Sequence, residues 1–156
     1  MNKQIRIKRS YKQILYGKKE EIFKLLCPVR EKEWLQGWDY KMIYSESGFA
    51  EKGCIFETNN DFGSYQWVMT KYDNSDYCIQ FVKFIQGKMI VIIDIELKDG
   101  DQDIVYCDIH YTFTAIDDSI IDEMHTENSQ EVFNRHMKLW EGSINYFIKT
   151  GEMMIQ

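Results

Sequence analysis

Residues that interrupt or staple a chain are scarce in this sequence: one proline, nine glycines, four cysteines and three histidines among 156 residues. Without a proline-rich, glycine-rich or low-complexity tract, collagen-like and disordered readings are excluded, because 44% hydrophobic and 15% aromatic residues can offset chain entropy. No apolar run approaches the roughly 20 residues needed to span a bilayer. Residues 1–11 carry Lys3, Arg6, Lys8 and Arg9 between apolar positions, so they offer no signal-peptide core. A soluble, cytoplasmic protein without integral membrane association is expected. Its size suits one domain spanning residues 1–156.

Paired motifs are also missing. Cys27, Cys54, Cys78 and Cys107 stand at wide, unrelated spacings, with no C-x-x-C pair and no Asn-x-Ser/Thr sequon, which favours reduced thiols. There is no G-x-G-x-x-G, Walker loop or H-E-x-x-H. Asp99, Asp101 and Asp103 resemble the start of a calcium loop, but Ile104 replaces the required glycine and His110 the bidentate glutamate; a solvated hairpin turn is expected. His110, His125 and His136 fall on three different predicted elements and do not form a zinc site. Neither metal nor cofactor is expected.

Net charge is -6, yet the first 30 residues hold 9 basic and 2 acidic groups. The remainder is strongly acidic, which argues against nucleic acid as a partner. The basic N-terminal positions read as the solvated face of a strand.

What is present is a clear change of period along the chain. Ile5, Ile7, Arg9 and Tyr11 alternate with Arg6, Lys8, Ser10 and Lys12, the pattern of a strand with one buried face. Ile22, Phe23, Leu25 and Leu26 repeat at helical spacing and stop before Pro28, and a second short helix is predicted over Arg30 to Leu35. Six strands follow, near 40–45, 54–58, 65–72, 77–85, 89–98 and 104–115. They are divided by Ser47-Gly48, Asn59-Asn60, Asp73-Asn74-Ser75, Gln86-Gly87 and Asp99-Gly100. Connections this short require antiparallel neighbours.

After a short helical piece over 119–125, the last segment is strongly amphipathic. Phe133, His136, Met137, Trp140, Ile144, Phe147 and Ile148 share one sector of a helix, opposite Asn134, Arg135, Lys138, Glu141, Asn145 and Lys149. Asn128 with Glu131 reads as its N-cap and capping box. The expected fold is α+β: a helix grip, with a seven-stranded antiparallel sheet curved around the long C-terminal helix and two short helices after strand 1.

Three stretches resemble the START-like, birch-allergen superfamily, in particular its bacterial polyketide cyclase/dehydratase and lipid-transport type (SRPBCC). They are Cys27-Pro28-Val29-Arg30-Glu31-Lys32-Glu33-Trp34 running into Gly37-Trp38-Asp39; Ile93 to Leu97 with Tyr111 to Ala115; and Trp140-Glu141 through Asn145-Tyr146-Phe147 to Glu152. The resemblance implies the helix-grip fold. It implies no invariant catalytic set, since the superfamily's members carry hydrophobic ligands, cyclise substrates or activate chaperones.

The strand phases select an inner surface. Met89, Val91, Ile93, Ile95 and Leu97 point one way, as do Val105, Cys107, Ile109, Tyr111 and Phe113; Arg9 and Lys83 share inward phases with Ile7 and with Ile79 and Phe81. The expected ligand-binding residues are Trp38, Tyr44, Phe56, Trp67, Met69, Phe81, Tyr111, His136, Met137 and Trp140, enclosing an apolar small molecule or lipid. No Ser/His/Asp or Cys/His arrangement assembles, so no catalytic residue is assigned. His136 is the nearest candidate, and a cyclase/dehydratase reading would draw on His136, Tyr111 or Lys83. A chaperone-activator-like interaction module would instead present a filled interior and an exposed apolar patch.

The cysteine spacing makes the first prediction. Thiol titration of the denatured, unreduced protein is expected to find all four cysteines reactive, and a lower count would reveal a disulfide.

Overall fold

The computed structural model describes residues 4–60 and 63–156. The chain runs β1 (Arg6–Tyr16), α1 (Lys19–Leu25), α2 (Pro28–Trp34), β2 (Lys41–Tyr44), β3 (Ile55–Asn60), β4 (Gly63–Asp73), β5 (Cys78–Ile85), β6 (Met89–Asp99), β7 (Ile104–Ala115), a 3-10 turn (Asp118–Ile120), α3 (Ile121–Glu127) and α4 (Gln130–Thr150). All seven strands form one antiparallel sheet in the order β1-β7-β6-β5-β4-β3-β2. The α+β helix-grip architecture is as the sequence patterns predict. No helix among the described residues is long and apolar enough to cross a membrane.

Alternation along the strands sends one apolar row to the concave side. Val91, Ile93, Ile95 and Leu97 of β6 are buried beside Val105, Cys107, Ile109 and Phe113 of β7. Register shifts at Met42/Tyr44 and Met69/Lys71 bend the half of the sheet built from β2 to β4. The concave face meets α4 through Phe133, Met137 and Ile144, and meets α1 and α2 through Ile22, Phe23, Leu25 and Trp34.

Several local expectations change. Pro28 does not only end the first helix; it occupies the first turn of α2, where its missing N–H costs nothing, and the Cys27 thiol accepts from the Arg30 N–H. The N-cap of α4 is Ser129, whose side chain accepts from the Val132 N–H; Asn128 closes α3, where its side-chain amide donates to the Met124 carbonyl. Asn59 and Asn60 belong to β3, and the adjoining 61–62 lie outside the described residues, as does Lys3. Ile5 precedes β1 and is half exposed rather than inward. Arg9 keeps its inward phase by reaching the end of α3, where it donates to the Asn128 carbonyl at 2.8 Å.

The largest departure concerns the polar face of α4. Its residues Glu141 and Asn145 are not simply solvated. As an edge strand, β1 has backbone groups without a strand partner, and α4 lies along it to supply one. The Glu141 carboxylate accepts from the Ile14 N–H and, at 3.3 Å, from the Tyr11 hydroxyl. The Asn145 side chain accepts from the Tyr16 N–H at 3.0 Å and donates to the Ile14 carbonyl at 2.9 Å. Beneath the helix, buried Gln13 donates to the Met137 carbonyl at 2.9 Å. At the end of β1 a Cβ on Gly17 would stand 3.3 Å from Ile148, so the glycine permits the close approach. The left-handed Gly151 (φ 75°) ends the helix.

Asn145→Ala removes both hydrogen bonds to β1 and is expected to lower stability by about 1–2 kcal/mol. In urea unfolding the midpoint should fall with an unchanged slope. An unmoved midpoint would show that these contacts do not hold the helix to the edge.

Candidate ligand cavity

One helix cannot cover a seven-stranded sheet. Held against β1, α4 leaves space over β4 to β6, and aromatic rings close most of it. Phe56 of β3 and Trp67 of β4 are cross-strand partners whose rings stack with centroids 5.3 Å apart. Phe81 of β5 meets both edge-on, at 6.0 and 5.9 Å, and Trp38, in the segment after α2, meets Trp67 edge-on at 6.1 Å. On the opposite side Trp140 of α4 stacks on the fully buried Trp34 with centroids 6.0 Å apart. A cavity of about 210 Å³ remains between these walls, lined by Trp38, Phe56, Trp67, Phe81, Tyr111 and Trp140, with Ile93 and Ile95 on its sheet side and Met137 on its helix side.

Eight of the ten residues expected from sequence surround this cavity. Tyr44 and Met69 do not. Tyr44 ends the short edge strand β2 and is 58% exposed, whereas Met69 is wholly buried in the packed core next to the register shift. His136 reaches the cavity from its mouth but is exposed, because it lies at the flank of the buried stripe of α4. Lys83 has its inward phase without lining the cavity. Its Nζ lies over the rings of Tyr65 and Trp67, 4.6 and 4.8 Å from their centroids, and burial pushes the ammonium down to about 8. Among the described residues no carboxylate lies within 4 Å of it.

The residue with the most chemical consequence was not expected. Glu31 of α2 lines the cavity at only 7% exposure, and no described residue gives its carboxyl a hydrogen bond or a salt bridge. Burial alone pushes its pKa up to about 8, so the folded protein favours the neutral acid. Its helical neighbours Arg30 and Glu33 pair with each other, and Lys32 faces Asp39 across 3.6 Å. The sequence signal was the spacing of Glu31 and Trp34, three residues apart and hence on one helix face.

Tyr111 of β7 stands across the cavity. Protein surrounds it, and its exposed surface opens to the cavity. Its phenol is raised above the usual range, first by burial, then by the charge Glu31 would carry, then by Cys107. The hydroxyl has no hydrogen-bond partner among the described residues. The indole N–H groups of Trp34, Trp38 and Trp67 donate to the Leu25 carbonyl, the Pro28 carbonyl and the Thr58 hydroxyl at 2.9, 2.9 and 3.0 Å. The Trp140 N–H is the exception. Among the described residues it is the one side-chain polar atom that is both wholly sealed from solvent and without a partner. Groups of three or more His, Cys, Asp or Glu able to hold a metal are absent among those residues.

No protein-family model and no characterised protein matches the sequence. Solved structures do match in shape. DynU16, from the dynemicin biosynthetic locus, superposes with a TM-score of 0.64 at 11% identity over 93% of this chain, which spans 48% of DynU16. Norcoclaurine synthase from Thalictrum flavum gives 0.67 at 10% identity over 93% of this chain and 87% of the synthase. Ara h 8.0201 gives 0.58 at 13% identity over 89% of this chain and 97% of the other. The fold is the helix grip that these structures share. At these identities the likeness is one of fold alone, and the cavity has to be read from its own residues.

The buried acid makes stability depend on pH. Below its ordinary value of 4.5 Glu31 is neutral in both folded and unfolded chains. From there to about pH 8 the unfolded chain releases the proton and the folded one keeps it, so the contribution of Glu31 to stability falls by up to about 1.4 kcal/mol per pH unit. Above that it changes no further. Glu31→Gln abolishes this slope and is expected to exceed the parent protein in stability at pH 8 by about 3–5 kcal/mol, with a much smaller gain at pH 5. Parallel pH profiles for the two proteins would mean the carboxyl is not held neutral.

Proposed function

We propose that this protein binds a small hydrophobic molecule in the cavity between the curved sheet and α4. The observation that carries the reading is a preformed apolar space whose walls are aromatic rings and into whose lining Glu31 and Tyr111 bring polar groups without hydrogen-bond partners among the described residues. Interiors normally pack to crystal-like density and satisfy their polar groups, so an apolar space that departs from both rules supports a ligand-binding reading.

Size narrows the occupant. An apolar cavity of about 150 Å³ holds a benzene-sized molecule. The 210 Å³ here suits one substituted ring better than a lipid, and lies below the roughly 300–1,000 Å³ of drug-sized sites. The structural neighbours lend support. The norcoclaurine synthase structure is a complex with dopamine and hydroxybenzaldehyde, both single-ring molecules. DynU16 comes from a biosynthetic locus. Binding would follow from desolvation of an aromatic body against Trp38, Phe56, Trp67 and Phe81.

Native mass spectrometry of freshly purified protein is expected to show a retained small molecule or, after denaturation and refolding, uptake of single-ring aromatics. Trp140→Ala unstacks Trp34 and enlarges the cavity. It should cost ~3–5 kcal/mol and shift dye binding toward larger apolar probes. Unaltered stability together with unaltered dye binding would mean that this face of α4 does not close the cavity.

A further inference from the structure

We infer that the Glu31 carboxyl and the Tyr111 hydroxyl form a two-donor site for a carbonyl oxygen, so that the cavity selects a small aryl ketone or aldehyde. The inference rests on the cavity being a ligand site and adds the chemical class of the ligand. Both groups line the same small space, from α2 on one side and from β7 on the other, and they do not hydrogen-bond each other. Each is left with a hydrogen to donate. The Trp140 ring lines the same space, with its N–H sealed inside the protein.

Two hydroxyls that line one space and do not bond each other suit an acceptor between them. A carbonyl oxygen has two lone pairs and no hydrogen, so it can receive two donors at once. An ammonium would pair with Glu31 only by drawing its carboxyl into the ionised form that burial disfavours. A hydrocarbon would cover the Glu31 and Tyr111 hydroxyls without pairing them, at the cost of two unsatisfied donors. A carboxylic acid kept neutral by an apolar site can donate to an oxygen that gains negative charge, and a phenol beside it strengthens the effect. The aromatic walls formed by Trp38, Phe56, Trp67 and Phe81 take the ring.

The groups facing Glu31 are few. Tyr111 faces it from β7, Cys27 heads its own helix, and His136 reaches the mouth from α4. The charged neighbours Arg30, Lys32 and Glu33 are engaged in ion pairs on the outer side of α2.

Four probes of one shape separate the possibilities: acetophenone, 1-phenylethanol, ethylbenzene and 1-phenylethylamine, titrated by calorimetry. Acetophenone is expected to bind best, and its labelled carbonyl carbon to move downfield in the ¹³C spectrum on binding. Tyr111→Phe, which keeps the ring, should lower the acetophenone-to-ethylbenzene affinity ratio about tenfold. In a His136→Gln background, which removes the rim imidazole from the profile, acetophenone affinity should fall as pH rises through 8, where the acid becomes an anion. Adding Glu31→Gln should flatten that fall. If acetophenone and ethylbenzene bind alike and respond alike to Tyr111→Phe, the carbonyl site is refuted and the apolar cavity stands. Preference for the alcohol or the amine would replace the carbonyl with that group. Failure of all four to bind would overturn both the carbonyl site and the proposed function.

Discussion

The attachment of α4 to the free edge of β1 governs where space can exist in this protein. An edge strand leaves backbone donors and acceptors unmet, and Glu141 and Asn145 meet them from the helix while Gln13 reaches up from below. These bonds draw α4 toward one margin of the sheet. The far half, built from β3, β4 and β5, must be covered by something else, and the short α1 and α2 and the segment carrying Trp38 are what is at hand. Two short helices and a few indoles cannot fill that area at crystal-like density, so the cavity follows from how the grip is anchored.

The fold was legible because its period changes are clean. Alternation in β1, β6 and β7 and the amphipathic stripe of α4 depend on which residues face inward, and burial strongly specifies that. What escaped was local or tertiary. Ser129 and Asn128 are both good caps, and sequence does not reveal which serves α4 until the end of α3 is placed. Glu141 and Asn145 look like ordinary solvated positions, because the pattern of one helix says nothing about a strand more than a hundred residues away.

The cavity was partly legible for the same reason. Phe56, Trp67, Phe81 and Tyr111 follow from strand phase, and Met137 and Trp140 from helical phase. Tyr44 and Met69 share such phases but stand outside, one on an exposed edge strand and the other beside a register shift, and neither feature is visible in a period. Glu31 was hidden among charges. In the run Arg30-Glu31-Lys32-Glu33 every residue reads as solvent-facing, and only the docking of α2 onto the sheet turns one of them inward.

The rest of the interior shows how unusual that turn is. Gln13 is buried and bonded, Arg9 shares the inward phase and finds a carbonyl, and three of the four indoles have acceptors. Elsewhere, then, the protein pairs the polar groups it buries. The unpaired acid and the unpaired phenol both belong to residues lining the cavity, in the region that α4 leaves open. Each alone could be a packing imperfection of ordinary cost. Two around one aromatic-walled space form a pattern of hydrogen-bonding demand, and a ligand bearing an acceptor oxygen meets that demand in a way that closer packing of the protein's own side chains would not.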